Sequence, residues 1–184
     1  MRSKILKKII VISVLITAAL IAAVFFNRIT AEVLMSSGIL IPRYASTEDK
    51  TITDGGITVV KHGRSLSVKK GETKIWEIPG SIKVQDCLLE DVYGNGEKEL
   101  MVLCWKRGRF GKHRPTWVTK DEKDYSQHIF IYVIDNDLVR PGWMASDIGP
   151  EAVSWEYEDG ILYLTQTDGI VTRWRWDTWG FEKM

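Results

Sequence analysis

The sequence holds little that points to catalysis. Among 184 residues there are three histidines, His62, His113 and His128, and no H-E-x-x-H, Gly-x-Ser-x-Gly or Gly-x-x-x-x-Gly-Lys-Ser/Thr stretch. Asp124, Ser126 and His128 are close in sequence, but neighbours on an extended chain do not converge as a nucleophilic triad must. Cysteine is nearly absent. Cys87 and Cys104 are the two present, and none follows the N-terminal apolar run, which argues against a lipid-modified cysteine. Beyond Phe26 the chain lacks a charge excess of either sign, with 24 acidic residues against 21 of the 25 basic ones. A nucleic-acid binder would show a basic surplus. A second long helical period is missing as well.

What is present begins with the apolar run. Ile9 to Phe26 carries no charge, and only Ser13 and Thr17 are polar. Extended back to Ile5, it makes a helix of about 33 Å at about 1.5 Å per residue, enough for a hydrocarbon core of about 30 Å. Arg2, Lys4, Lys7 and Lys8 precede it. The positive-inside rule keeps them in the cytoplasm and sends the rest of the chain across. The expectation is a single-pass protein of the cell membrane, embedded through residues 5–26, with its N-terminus cytoplasmic. A cleaved signal peptide is the alternative, with Ala31 at the cut, but its apolar region is normally shorter.

The remainder divides into a connector, residues 27–50, and an extracytoplasmic β domain, residues 51–184. Thr30 to Met35 can continue the helix, before Ser36, Ser37, Gly38 and Pro42 interrupt it. From Gly56 onward short strands alternate with turn signals. They are Ile57–Lys61, Ser65–Lys69, Lys74–Ile78, Ile82–Leu89, Leu100–Trp105, Ile129–Ile134, Leu138–Trp143, Val153–Tyr157, Ile161–Thr165 and Ile170–Trp176. Ile129 to Ile134 is apolar throughout, as expected of a strand buried on both faces. Asp159-Gly160 and Asp168-Gly169 read as hairpin turns. Trp174 and Trp176 share one strand face and Arg173 and Arg175 the other. The tryptophans fill a core or form a platform for sugars or peptides; the filled core is the expectation for an alternating strand. Cys87 and Cys104 are equidistant from Asn95-Gly96, so a hairpin centred there sets them nearly opposite, either as a disulfide of an exported domain or as buried thiols.

The segment with chemical content runs Asp91-Val92-Tyr93-Gly94-Asn95-Gly96-Glu97-Lys98-Glu99-Leu100. It resembles the Asp-x-Asp-Gly-Asp-Gly-x-x-Glu-Leu loop of FG-GAP and VCBS-type repeats, the blades of integrin-α-like β-propellers. Val84 and Asp86 before it and the strand Leu100 to Trp105 after it fit the same blade, completed by Ile129–Ile134 and Leu138–Trp143. The resemblance implies an all-β fold of antiparallel hairpins in propeller-like blades. It also implies calcium held by Asp91, Asn95, the carbonyl of Glu97 and Glu99, because calcium takes hard oxygen ligands around a sharp glycine turn. Tyr93 stands where the family has Asp or Asn. The same residues also suit an ordinary tight turn. At about 40–50 residues per blade the chain holds about three blades, whereas a propeller closes with at least about four. Either a second copy completes the ring or the fold is an open relative.

One connection, Lys106 to Gln127, is too long for a hairpin loop, and loops of this length are usually functional or disordered. Arg107, Arg109 and Arg114 in it suit anionic groups, with Phe110 and Trp117 as apolar anchors. The function expected is a non-enzymatic binding or scaffolding module of a bacterial envelope, contacting an envelope protein or polysaccharide. The alternatives are a hydrolase of envelope polymers using Asp121, Glu122 and Asp124, and an accessory subunit of a membrane complex.

Overall fold

The computed structural model describes residues 2–36, 40–108, 120–145, 149 and 151–184, with side chains from residue 12 onward except that of residue 36. The chain falls into two compact units, residues 1–42 and 43–184.

The first unit is built on one continuous helix, α1 (Arg2–Ser36). The connector expected after Phe26 is therefore helical for a further two turns or more, because Thr30 to Met35 offers no breaker. Within it, Ile12–Met35 is long and apolar enough to cross a membrane. Three of its polar side chains bond along the helix itself. Thr17 donates to the Ser13 carbonyl at 2.9 Å, Thr30 to the Phe26 carbonyl at 2.9 Å, and Arg28 pairs with Glu32 at 3.3 Å.

The second unit is all β. Among the described residues its twelve strands are β1 (Lys50–Asp54), β2 (Ile57–His62), β3 (Ser65–Lys70), β4 (Thr73–Glu77), β5 (Lys83–Glu90), β6 (Glu99–Lys106), β7 (Ser126–Asp135), β8 (Leu138–Met144), β9 (Ala152–Glu158), β10 (Ile161–Gln166), β11 (Val171–Asp177) and β12 (Gly180–Lys183). They form three four-stranded antiparallel meanders, β1 to β4, β5 to β8 and β9 to β12. Ten of the twelve are legible in the sequence. β1 is missed because Lys50-Thr51-Ile52-Thr53-Asp54 carries one apolar residue, and β12 because Gly180 begins a strand of four.

The middle sheet is covered on both faces. Val84, Cys87, Leu89, Leu100, Val102, Cys104, Phe130 and Tyr132 face Val59, Leu66 and Val68 of the first sheet. Met101, Leu103, Ile129 and Ile131 face Ala152, Trp155, Leu162 and Leu164 of the third. That is why β6 and β7 read as unbroken apolar runs. The outer sheets show the opposite pattern. Thr51, Thr53, Thr58 and Lys69 lie on the outward face of the first, and Glu156, Glu158, Arg173 and Arg175 on that of the third, none of them buried.

The third sheet is fixed to the middle one by a buried amide pair as well as by apolar packing. Gln127 donates to the Ala152 carbonyl at 2.8 Å and accepts the Ala152 N–H at 2.7 Å. Gln85, at a bulge in β5, donates to the carbonyls of Ala152 and Val153 and accepts from Gln127 and from the Trp105 indole, both at 2.8 Å. The network is saturated, as buried amides require.

Of the C-terminal aromatics, Trp174, Trp176 and Phe181 pack partly buried against the second core layer, and Trp179 stays exposed. Trp176 lies 5.0 Å from the Tyr93 ring, 5.5 Å from Trp143 and 5.4 Å from Phe181. The core-filling reading of Trp174 and Trp176 therefore holds. Asp159 and Gly160 both have positive φ, 51° and 76°, as a type I′ turn needs. At Asp168-Gly169 only Gly169 does, and the Asp168 carboxylate instead accepts the Ile170 N–H at 3.0 Å. The cysteines are not opposed. Cys87 pairs with Val102 and Cys104 with Val84, because the hairpin pairs Glu90 with Glu99 and β5 bulges at Gln85. Both thiols are free and buried.

Candidate functional site

Residues 91–98 form the turn between β5 and β6, and the Asp91 carboxylate organises it. Its two oxygens accept the N–H groups of Asn95 at 3.0 Å and Gly96 at 2.9 Å, while Asn95 Oδ1 accepts the Glu97 N–H at 2.9 Å. Gly94 and Gly96 supply the positive φ that lets the amides turn inward. Glu99 points into the domain, accepting the N–H groups of Val92 at 2.9 Å and Tyr93 at 3.3 Å. Burial raises its carboxyl above the usual range, opposed by those two amides. Tyr93, at the position where the resembled loop has a ligand, serves as a core residue instead, with its ring on Trp176. As arranged, the donor set fits a turn closed by its own amides, and a cation would have to displace those bonds. Among the described residues no group of three or more His, Cys, Asp and Glu side chains is disposed to hold a metal.

The long connection lies at the other end of β6, so the two expected sites are separate. Arg107 is the member of the expected contact set whose place is described; Arg109, Phe110, Arg114 and Trp117 lie outside the described residues. The Arg107 guanidinium sits 4.4 Å above the centre of the Tyr125 ring, a cation–π arrangement. The loop's base is closed by Gly108 and Glu122. The Glu122 N–H donates to the Gly108 carbonyl at 2.9 Å, and the Gly108 N–H donates to Glu122 Oε2 at 3.0 Å. Residues 120–126 line an open cavity of about 610 Å³. There Ser126 and His128, two apart on β7, come within 2.9 Å through Oγ and Nε2. The other ring nitrogen, Nδ1, faces the Ala145 carbonyl at 3.0 Å. That carbonyl requires a proton on Nδ1, and the single proton of the serine hydroxyl is shared between Nε2 and the Lys106 carbonyl, 3.3 Å away. The contact forms because residues two apart on a strand share a face.

A further polar cluster joins the first strands of the three sheets. Lys50 of β1 donates to Asp86 Oδ1 of β5 at 3.0 Å and to the Cys87 carbonyl at 2.8 Å. Asp86 Oδ2 accepts from the indole of Trp155 on β9 at 2.9 Å. Beside it is a cavity of about 320 Å³, with Lys50, Asp86, Ser154 and Trp155 in its walls. Lys61, 1% exposed, donates to the Glu48 carbonyl, and its desolvation holds the ammonium below its ordinary pKa, partly offset by Asp86. In the first core layer burial pushes the Cys87 thiol up to about 11 and raises Cys104 further, so both stay protonated and unreactive. Sequence reasoning missed this cluster. Lysines at Lys50 and Lys61 read as surface residues, and the bulge that turns Gln85 and Asp86 to their partners leaves no compositional mark.

Comparison with protein-family models, with curated proteins and with solved structures finds no match to this chain. No family model supports the likeness to FG-GAP and VCBS repeats read from the 91–98 loop and the strands around it.

Proposed function

We propose that this chain is a single-pass membrane protein that carries a non-enzymatic binding or scaffolding domain outside the cytoplasm. The observation that carries the reading is the pairing of one exposed apolar helix, Ile12–Met35, with an independently cored β unit. The basic residues ahead of the helix favour a cytoplasmic N-terminus. The β unit is read as three propeller-type blades, supported by three successive meanders whose first strands are linked through Lys50, Asp86 and Trp155. The polar outward faces of the end sheets favour an open three-blade form over a ring completed by a second copy. Calcium at Asp91, Asn95, Glu97 and Glu99 would have to displace amides that the side chains of Asp91, Asn95 and Glu99 already hold, so the binding proposal is made without it.

Contact is assigned to the end of the domain that bears the long basic connection, with Arg107 directed at carboxylate or phosphate groups of an envelope polymer or protein. Cosedimentation of the detergent-solubilised chain with an anionic, phosphate-bearing polysaccharide tests this. Binding that weakens with salt, and by about tenfold in Arg107→Ala, is expected. Equal retention on a neutral polysaccharide, or none on either, would overturn it.

A second reading, hydrolysis, is favoured by one observation, the Ser126–His128 contact at the edge of the 610 Å³ cavity. Covalent labelling of Ser126 by a fluorophosphonate, lost in Ser126→Ala, would establish it. An unlabelled protein would leave the binding module as the function.

A further inference from the structure

Residues 43–49 enter the β unit ahead of β1, and their attachment is unlike that of the strands. Among the described residues no backbone-to-backbone hydrogen bond ties them to a neighbour; β1 begins its ladder at Lys50. They are held almost entirely by side chains. Four successive residues at the β2–β3 hairpin, Lys61 to Arg64, do most of the holding. Lys61 donates to the Glu48 carbonyl and Arg64 to the Ala45 carbonyl, the latter at 3.0 Å. The His62 ring nitrogen Nδ1 is 2.7 Å from Asp49 Oδ2, and the Gly63 N–H donates to Asp49 Oδ1 at 2.8 Å. Two further pins come from Tyr44, whose hydroxyl donates to Glu151 of the β8–β9 connection and whose ring centre lies 6.3 Å from that of Trp105.

Beneath this segment lies more than the segment itself. Ala45 is 2% exposed and Lys61 1%. Ser46, Glu48 and Asp49 form one wall of the 320 Å³ cavity whose other walls include Asp86, Leu103 and Trp155. The Asp49–His62 pair, by contrast, is largely open to water, with side-chain exposures of 60% and 83%. Exposed pairs of this kind contribute little to stability. The grip therefore combines weak, wet contacts with a few covered ones and has no ladder to unzip. Chain continuity adds a consequence: residue 42 ends the first unit, so tension arriving along the chain from the helix reaches residues 43–49 before any strand.

We propose that residues 43–49 are a releasable strap, which lifts from the β2–β3 hairpin while the three sheets stay folded and thereby opens the cavity shared by the first strands. The strap couples the connection toward the helix to the accessibility of Lys61, Asp86 and Trp155. It holds whatever the domain binds, because its argument uses the attachment and not the ligand. The cavity is not assigned a ligand of its own, since both oxygens of Asp49 and of Asp86 are already engaged.

Thiol labelling of the full chain in detergent tests the strap. Ala45→Cys introduces a nearly isosteric thiol that is covered unless the strap lifts, and the native Cys104, 0% exposed, reports unfolding of the middle sheet in the same molecule. The expected result is reaction of the introduced cysteine at least about 100-fold faster than Cys104, as a local opening requires. Asp49→Asn and Arg64→Gln should each accelerate the introduced cysteine by a further factor of about 3–10, with Cys104 unchanged. Equal rates for the two thiols in every background would overturn the proposal, for the strap would then leave only with the sheets. Hydrogen exchange of the Gly63 amide gives a readout free of the cysteine substitution. Exchange faster than at Met101 to Leu103, and accelerated by Asp49→Asn, supports the strap; exchange at the same rate as those residues contradicts it.

Discussion

Gly180 opens β12 with φ of 153°, and a Cβ placed there would lie 2.9 Å from the Trp143 ring. The ring is fixed in turn by Trp176 and Phe181, so it has little freedom to retreat. Gly180→Ala should therefore cost about 1–3 kcal/mol, read as a lowered denaturation midpoint at unchanged slope. Gln127 is a different case, since its amide satisfies both backbone groups of Ala152. Gln127→Leu keeps the bulk and orphans the Ala152 N–H, at about 1–3 kcal/mol, while the Ala152 carbonyl keeps its bond from Gln85. Glu99 governs a pH effect. Burial raises its folded-state pKa, so the folded chain holds that proton more tightly than the unfolded chain. Its contribution is fully present below the ordinary carboxylate value and is lost as pH rises through the raised one. In Glu99→Gln that decline above the ordinary carboxylate pKa should flatten, as measured by urea denaturation at a series of pH values.

At the scale of elements, the 91–98 turn rests on Asp91. Removing its carboxylate releases the Asn95 and Gly96 amides, and Asp91→Ala should lower stability by about 1 kcal/mol without calcium present. Calcium calorimetry on the same pair of proteins settles the cation. A loop already closed by its amides predicts no saturable heat below about 1 mM. A heat that the substitution abolishes would give the loop its metal. The strands were legible where burial imposes a pattern. Ile129 to Ile134 announces a doubly covered strand, and Trp174 and Trp176 announce an inward face. β1 and β12 were not, because an edge strand with few apolar residues leaves almost no period to read. The loop's likeness to a calcium blade was legible too, yet Tyr93 carries a meaning that only packing discloses: a ring on Trp176 in place of a ligand. The register of Cys87 and Cys104 was lost at the turn, which pairs Glu90 with Glu99 and so already sets Cys87 against Val102; the bulge then shifts Cys104 one further, to Val84.

At the scale of the molecule, the middle sheet consumes the inward apolar surface of both neighbours, and the outward faces are mainly threonine, lysine, arginine and glutamate, broken by Val60, Ile161, Tyr163 and Val171. Such faces offer little apolar area for a second copy, so the detergent-solubilised chain should be monomeric by light scattering once the micelle mass is subtracted. The proposed location has one helix crossing the membrane and the β unit outside the cytoplasm. Trp179 is 87% exposed at the turn before β12, while Cys87 and Cys104 are 0% exposed. The most direct measurement is labelling of Trp179→Cys by a membrane-impermeant maleimide in intact cells, compared with the same cells after lysis. Equal labelling before and after lysis, with no label on the parent chain, is the predicted result. Labelling only after lysis would place the β unit in the cytoplasm and contradict the account.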